Sequence, residues 1–216
     1  GGWLEIWQDI ILVAAVLSIG LGNIIAIAQS NIKRMFAYST ISHMGFLLLG
    51  FSTAEELGLS AAMMYTLIYM FTTLVAFGVI LALSRPGFEC DQLDDLRGLN
   101  RRNPLLALMM LVAMFSLAGI PPTAGFFAKL FVLEAALEAG FIEIVVVAVL
   151  FAVVGAFYYL RIVKLMYFDD SSPHLLSASS YGYRPVVGWA LGVNALLLVL
   201  MIPWVGSIFN WLVASL

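Results

Sequence analysis

Six stretches of this 216-residue chain, roughly 10–30, 33–54, 57–84, 104–138, 141–168 and 185–214, are each about twenty or more residues long and dominated by apolar side chains. A helix needs that length to cross the ~30 Å hydrocarbon core of a bilayer. Inside lipid an unpaired amide or carbonyl finds no water, so each segment must satisfy its own backbone, and a helix does so. The expected fold is therefore an all-α membrane protein with six transmembrane helices. Composition agrees, with 63% hydrophobic and 11% charged residues, where a soluble domain carries about 25% charged. Connections at 30–33, 53–57 and 138–141 are short enough for antiparallel hairpins, and 85–103 and 169–184 read as polar loops.

The cations provide an independent test of this division. If the segments alternate in direction, one membrane face receives Lys33, Arg34, Arg85, Arg97, Arg101, Arg102, Arg161, Lys164 and Arg184, which is nine of the ten Lys and Arg. The opposite face receives Glu5, Asp9, Glu55, Glu56, Glu138 and Glu143 and no cation. Lys and Arg mark the cytoplasmic side, so both chain ends are expected on the side away from the cytoplasm. The tenth cation, Lys129, falls within the fourth segment.

That segment is too long for one straight span, since its 35 residues would rise ~52 Å as a helix. It also contains Pro121 and Pro122 flanked by Gly119 and Gly125. The prolines remove donors and clash with the preceding turn, while the glycines permit non-helical backbone. The pattern predicts a discontinuous helix, two halves at about 104–118 and 124–138 with the break at 119–123; a packing kink is the simpler alternative. Such a break is tolerated at membrane depth where it is buried in protein or lines a wet cavity.

Lys129 stands ~13 Å by helical rise from the nearer segment end, among Phe126, Phe127, Leu130 and Phe131. A lysine that snorkels to the interface is one reading, but these neighbours offer no polar path. An ionisable group at that depth is by default functional, and losing its proton relieves the penalty of burial. Lys129 is therefore expected to exchange protons. On the second segment Tyr38, Ser39, Ser42 and His43 fall within one sector of about 140° at 100° per residue. His43, ~15 Å from the basic end, reads either as a core histidine satisfied by a hydroxyl or as a relay. The polar stripe favours the relay. Thr66, Tyr69, Thr72 and Thr73, with Tyr158 and Tyr159, could line a hydrated path, or each could simply bond helix to helix. Asn23 and Asn194 take the packing reading.

Other chemistries lack their residues. The single Cys90 excludes an internal disulfide, and His43 and His174 stand too far apart in sequence to suggest a metal site. No glycine-rich phosphate cradle occurs. No cofactor or metal is expected on this chain, and no nucleic-acid partner. The loop sequence DQLDDLRGLNRRNP reads as a solvated connector or a surface helix that docks a partner.

Three blocks carry a resemblance: NIKRMFAYSTISHMGFLLLGF at 31–51, DLRGLNRRNP at 95–104 and SLAGIPPTAGFFAKLFVL at 116–133. In sequence, order and spacing they closely resemble subunit N of NADH:quinone oxidoreductase, respiratory complex I, an antiporter-like membrane subunit. The resemblance implies a longer subunit with two inverted five-helix repeats, each with a broken helix and a buried lysine. Residues 1–168 would be the second repeat and 169–216 a loop and terminal transmembrane helix, so the chain is expected to be a piece of that subunit. It further implies that Lys129 is the output-side proton site and that His43 belongs to a buried polar axis. Lys33, Tyr38, Ser42, Thr72 and Tyr158 would be possible pathway residues; for Lys33 its position on the basic face is explanation enough. Partners would be the bilayer and other membrane subunits of the complex, with FMN, iron–sulfur clusters and quinone held elsewhere in it. The competing expectations are a subunit of a multisubunit sodium/proton antiporter and a non-conducting membrane scaffold.

Overall fold

The computed structural model describes residues 2–171 and 185–215, and expectations about His174, Arg184 and most of the 169–184 loop lie outside the described residues. The described chain is helical. Helix α1 spans Gly2–Ile27, α2 Ile32–Ser52 and α3 Glu56–Leu83. A 3₁₀ turn at Leu93–Leu96 and the short α4, Leu99–Arg102, follow. Then come α5, Pro104–Ala118, α6, Ala124–Glu138, and α7, Ile142–Tyr167. Helices α8, Pro185–Leu200, and α9, Ile202–Ser215, close the chain.

Among the described residues three helices are long and apolar enough to cross a membrane alone, at 6–27, 56–83 and 142–167, and α8 with α9 make a fourth if they count as one span. Helix α2 brings Lys33, Arg34 and a polar stripe, while α5 and α6 have 15 residues each, about 22 Å of rise. The last segment departs from the single terminal helix expected over 185–214: α8 and α9 meet at Met201 with a bend of 76°. Pro203 supplies the reason. It has no N–H to offer and its ring crowds the carbonyl four residues back, that of Val199.

Helix ends follow local chemistry. The Asn31 side chain accepts from the Arg34 N–H and the Asn103 side chain from the Leu106 N–H, satisfying donors that the first turn leaves over. Helices α1 and α2 pack through their glycines. A Cβ on Gly22 would lie 2.6 Å from the Ser42 nitrogen, and one on Gly45 would lie 2.7 Å from the Ala15 oxygen. Small residues that let backbones approach are how helices associate where lipid removes the hydrophobic drive. Helix α3 runs through the middle of the bundle and touches α2, α5, α6, α8 and α9, while α7 closes against α1 and α5.

The loop DQLDDLRGLNRRNP is neither a bare connector nor a free docking helix. Leu93, Leu96 and Leu99 are buried in the core. Its backbone is fastened to neighbours, with the Ile32 N–H on the Asp91 carbonyl, the Leu93 N–H on that of Ser30 and the Gly98 N–H on that of Leu165. Alternation of acids, bases and leucines here is the pattern of a segment laid across the bundle end with charges outward. Arg97 pairs with Asp94 and Asp169, and Arg101 with Asp170.

Two outcomes follow. Gly45→Val would drive a side chain into the backbone of α1 and lower stability by about 1–3 kcal/mol, as overpacking does, read as a lower midpoint of thermal unfolding in detergent. Cys90 is buried in this loop, and burial, with Asp95 nearby, pushes its thiol up to about 12. The thiolate is the nucleophile, so at pH 8 the folded protein should resist maleimide and react fully only on denaturation.

Candidate functional site

Helix α5 stops at Gly119, whose φ of 78° is the left-handed conformation glycine adopts without penalty. The Gly119 N–H donates to the Phe115 and Ser116 carbonyls and the Ile120 N–H to that of Phe115, a glycine closure of the helix end. The Leu117 and Ala118 carbonyls then have no following amide. Both are taken by one side chain: the Lys129 Nζ donates to the Leu117 oxygen at 2.9 Å and to the Ala118 oxygen at 3.0 Å. A cation there also meets the negative end of the α5 dipole. Between the helices lie Pro121 and Pro122, joined by a cis peptide bond, and Thr123, whose hydroxyl donates to the Ile120 carbonyl at 2.7 Å. Gly125 opens α6 directly against α5, where any Cβ would overlap the Ser116 carbonyl.

Lys129 is half-buried rather than fully enclosed in this chain. Its ammonium also lies 5.5 Å from the centre of the Phe46 ring, within cation–π range.

His43, on α2, is buried and holds a hydroxyl at each nitrogen. Nδ1 lies 2.6 Å from the Tyr65 oxygen and Nε2 2.9 Å from the Tyr159 oxygen, which is itself 2.5 Å from Ser39 Oγ. A neutral imidazole donates at one nitrogen and accepts at the other, and a hydroxyl can do either. Both tautomers and the protonated ring can therefore be satisfied by rotating hydroxyl hydrogens, without moving a heavy atom. A second network joins Tyr158, which donates to Asn23 Oδ1 at 2.9 Å, to Ser42 Oγ, which accepts from Asn23 Nδ2 at 2.8 Å. Gly155 makes room for the asparagine, since a Cβ there would lie 2.7 Å from its oxygen.

A small cavity separates the two titratable groups. His43, Tyr65, Tyr69, Thr72, Ser116 and Lys129 contribute to its walls, and its volume is about 10 Å³, room for about one water molecule. Thr72 Oγ1 and Ser116 Oγ meet at 2.9 Å on this wall. Hydroxyls, an imidazole and an amine, each able to give or take a proton, thus line one small cavity.

Of the residues singled out from the sequence, His43, Tyr69, Thr72 and Lys129 meet at this cavity and Tyr159 bonds His43, while Ser42 and Tyr158 join the adjacent asparagine network. Lys33 stands apart, pairing with Glu89 at 2.9 Å on the exposed end of α2. Tyr38 packs against the core, and its backbone carbonyl faces Gly22. Tyr65 and Ser116 went unremarked in the sequence. Tyr65 stands four and seven residues before Tyr69 and Thr72, on one helix face with them, and Ser116 had a usable cue in being, with Thr123, a hydroxyl flanking the glycine–proline break. Asn23 bonds α1 to α2 and α7, and Asn194 bonds α8 to α3, the helix-to-helix role expected of both. Among the described residues no group of three or more His, Cys, Asp or Glu is placed to hold a metal.

An apolar helical bundle with polar side chains bonded to one another in its interior has the architecture of a membrane protein. Residues 3–155 match the family described as NADH:quinone oxidoreductase/Mrp antiporter, transmembrane region, and the chain belongs to that family. It is 62% identical over 170 residues to NADH-quinone oxidoreductase subunit N of Thiobacillus denitrificans, covering 77% of this chain and 35% of that protein. It is 55% identical over 195 residues to subunit N of Nitrosomonas europaea, covering 90% and 40%. A chain of respiratory complex I from Thermus thermophilus with bound aureothin superposes with a TM-score of 0.79 at 31% identity, covering 94% of this chain and 45% of that one. The chain spans about two fifths of the length of the curated relatives it matches.

Tyr159→Phe removes the hydroxyl shared by His43 and Ser39 and leaves buried polar atoms unpaired. A loss of about 1–3 kcal/mol is expected, measured by thermal unfolding in detergent, with Tyr167→Phe, outside the network, as the unaffected control.

Proposed function

We propose that the chain is part of a proton-translocating membrane subunit of a bacterial NADH:quinone oxidoreductase, and that Lys129 and His43 are its proton-exchanging groups. The observation that carries this reading is the cavity shared by an imidazole and an amine, the two groups otherwise bonded only to hydroxyls and carbonyls. FMN, iron–sulfur clusters and quinone would belong to other subunits, and reduction there would supply the driving force. Protons would reach Lys129 from the polar axis through His43 and leave toward the acidic face. In this reading α5 and α6 together make one crossing, discontinuous at Gly119–Thr123, which brings the crossings to six with α2 and the last segment. The basic loops would face the cytoplasm and both chain ends the periplasm.

The electrostatics fit a switch. An ammonium in low dielectric is costly unless partnered, so charge on neighbouring groups changes its proton affinity at short range. The carbonyls of α5 stabilise the cation without neutralising it, so the site is not locked into either state.

A second reading is favoured by the family itself, whose description also names Mrp antiporters. There the same groups would exchange protons against sodium, without NADH. Lys129→Ala in the full-length protein within the assembled complex decides among these. Loss of at least tenfold in NADH-driven proton uptake by inverted vesicles, with the complex still assembled, is expected. Unchanged pumping would discard the assignment in favour of a scaffold role, and sodium-dependent transport without NADH would favour the antiporter.

A further inference from the structure

A second cavity lies close to His43. Besides the one that the histidine shares with Lys129, a space of about 10 Å³ sits between α2, α3 and α5, with Phe36, Ser39, Thr40, Thr73, Ala76 and Phe77 in its lining. That is room for about one water molecule, and three of those six residues carry hydroxyls. The cavity is on the basic side of the histidine. Ser39 stands four residues before His43 on α2, one turn and ~6 Å nearer Lys33. Ala76 and Phe77 stand two turns beyond Tyr69 on α3, toward the end that Arg85 follows. There the Phe36 and Phe77 rings meet edge to face, with centroids 5.4 Å apart.

Among the described residues the two linings have Tyr69 and Leu117 in common and no others. The Tyr69 ring lies beside that of His43, centroids 4.8 Å apart. Its hydroxyl donates to Thr40 Oγ1 at 2.7 Å, which donates in turn to the Phe36 carbonyl at 2.9 Å. The ring is thus pinned across the gap between α2 and α3, with its hydroxyl committed to Thr40. A bonded route runs around it. Ser39, in the lining of the basic-side cavity, meets Tyr159, and Tyr159 meets His43 Nε2. His43 Nδ1 then meets Tyr65, in the lining of the Lys129 cavity. The route starts at one cavity and ends at the other, with the imidazole in its middle.

We infer that the two cavities are successive one-water stations on either side of His43, and that Tyr69 is the wall that keeps water from bypassing the imidazole. Protons pass between the stations through Ser39, Tyr159, His43 and Tyr65. This rests on the exchange role proposed above for His43 and Lys129, and adds the basic-side station and the reason the ring is obligatory. A proton on the first water moves to Ser39 Oγ as Ser39 gives its own to Tyr159 and Tyr159 gives its own to Nε2. The imidazolium releases its Nδ1 hydrogen to Tyr65, whose own passes by the second water to the neutral Lys129 amine. Each hydroxyl keeps one hydrogen, the imidazole ends neutral in its other tautomer, and one positive charge has moved from the first station to Nζ.

Opening the wall tests this. Variants are made in the full-length protein within the assembled complex, and NADH-driven proton uptake by inverted vesicles is normalised to the amount of that complex. His43→Gln, which offers no protonatable ring, is expected to lower uptake at least tenfold when residue 69 is Tyr, and again beside Tyr69→Phe, which keeps the ring. Beside Tyr69→Ala the same change is expected to lower uptake less than threefold, because water then joins the two cavities. A tenfold loss that persists beside Tyr69→Ala would overturn the wall and leave the role of His43 standing. Absence of uptake in Tyr69→Ala alone would also overturn it, since an opened wall must still pass protons. Normal pumping by His43→Gln with Tyr69 in place would overturn the inference and the role of His43 together, while Lys129→Ala still decides that of the lysine. Should Tyr69→Ala fail to assemble, Leu117→Ala opens the same wall from α5 and is read by the same ratio.

Discussion

Two backbone carbonyls control this site. A helix that ends inside an apolar bundle leaves its last oxygens without amides, and in lipid-depth surroundings water does not satisfy them for free. Each unpaired carbonyl costs about 1–3 kcal/mol. Helix α5 ends that way because Gly119 and the following prolines cannot continue it, and the Leu117 and Ala118 oxygens are given to Lys129. The need runs both ways: the ammonium requires acceptors, and the helix end requires donors. The pairing depends on Gly125 letting α6 begin in contact with Ser116.

The polar groups on α1, α2, α3 and α7 obey the same rule of mutual satisfaction. His43, Tyr65, Tyr159 and Ser39 form one bonded set, and Tyr158, Asn23 and Ser42 another. Their partners come from four different helices, which fixes the relative rotation of those helices about their axes. Apolar side chains alone would specify this poorly in a bilayer, where lipid is as good a neighbour as leucine.

How much of this the sequence reveals depends on the kind of physics involved. The apolar runs and the interruption of 104–138 are legible because length, proline and glycine act through the backbone, within a few residues of themselves. His43 was legible as part of a polar sector because helical periodicity is local too. The partners of His43 were not: Tyr65 shares a helix face with Tyr69 and Thr72, but its meeting with His43 depends on how α2 and α3 rotate against each other. The bond from Lys129 to the α5 carbonyls likewise requires the chain to double back after the break. The bend at Met201 was missed because the apolar run continues through it, although Pro203 was in plain view. The leucines between 93 and 99 misled because charged neighbours hide a buried stripe.

That same loop has a mechanical consequence. It fastens the base of α5 to the bundle through the Ile32, Leu93 and Gly98 amides and three buried leucines. At the far end the Ser116 hydroxyl meets that of Thr72 on α3, and the Leu117 and Ala118 carbonyls hold the Lys129 amine of α6. A rod pinned at both ends is a strut, and a displacement of α3 or α6 reaches its tip through those bonds.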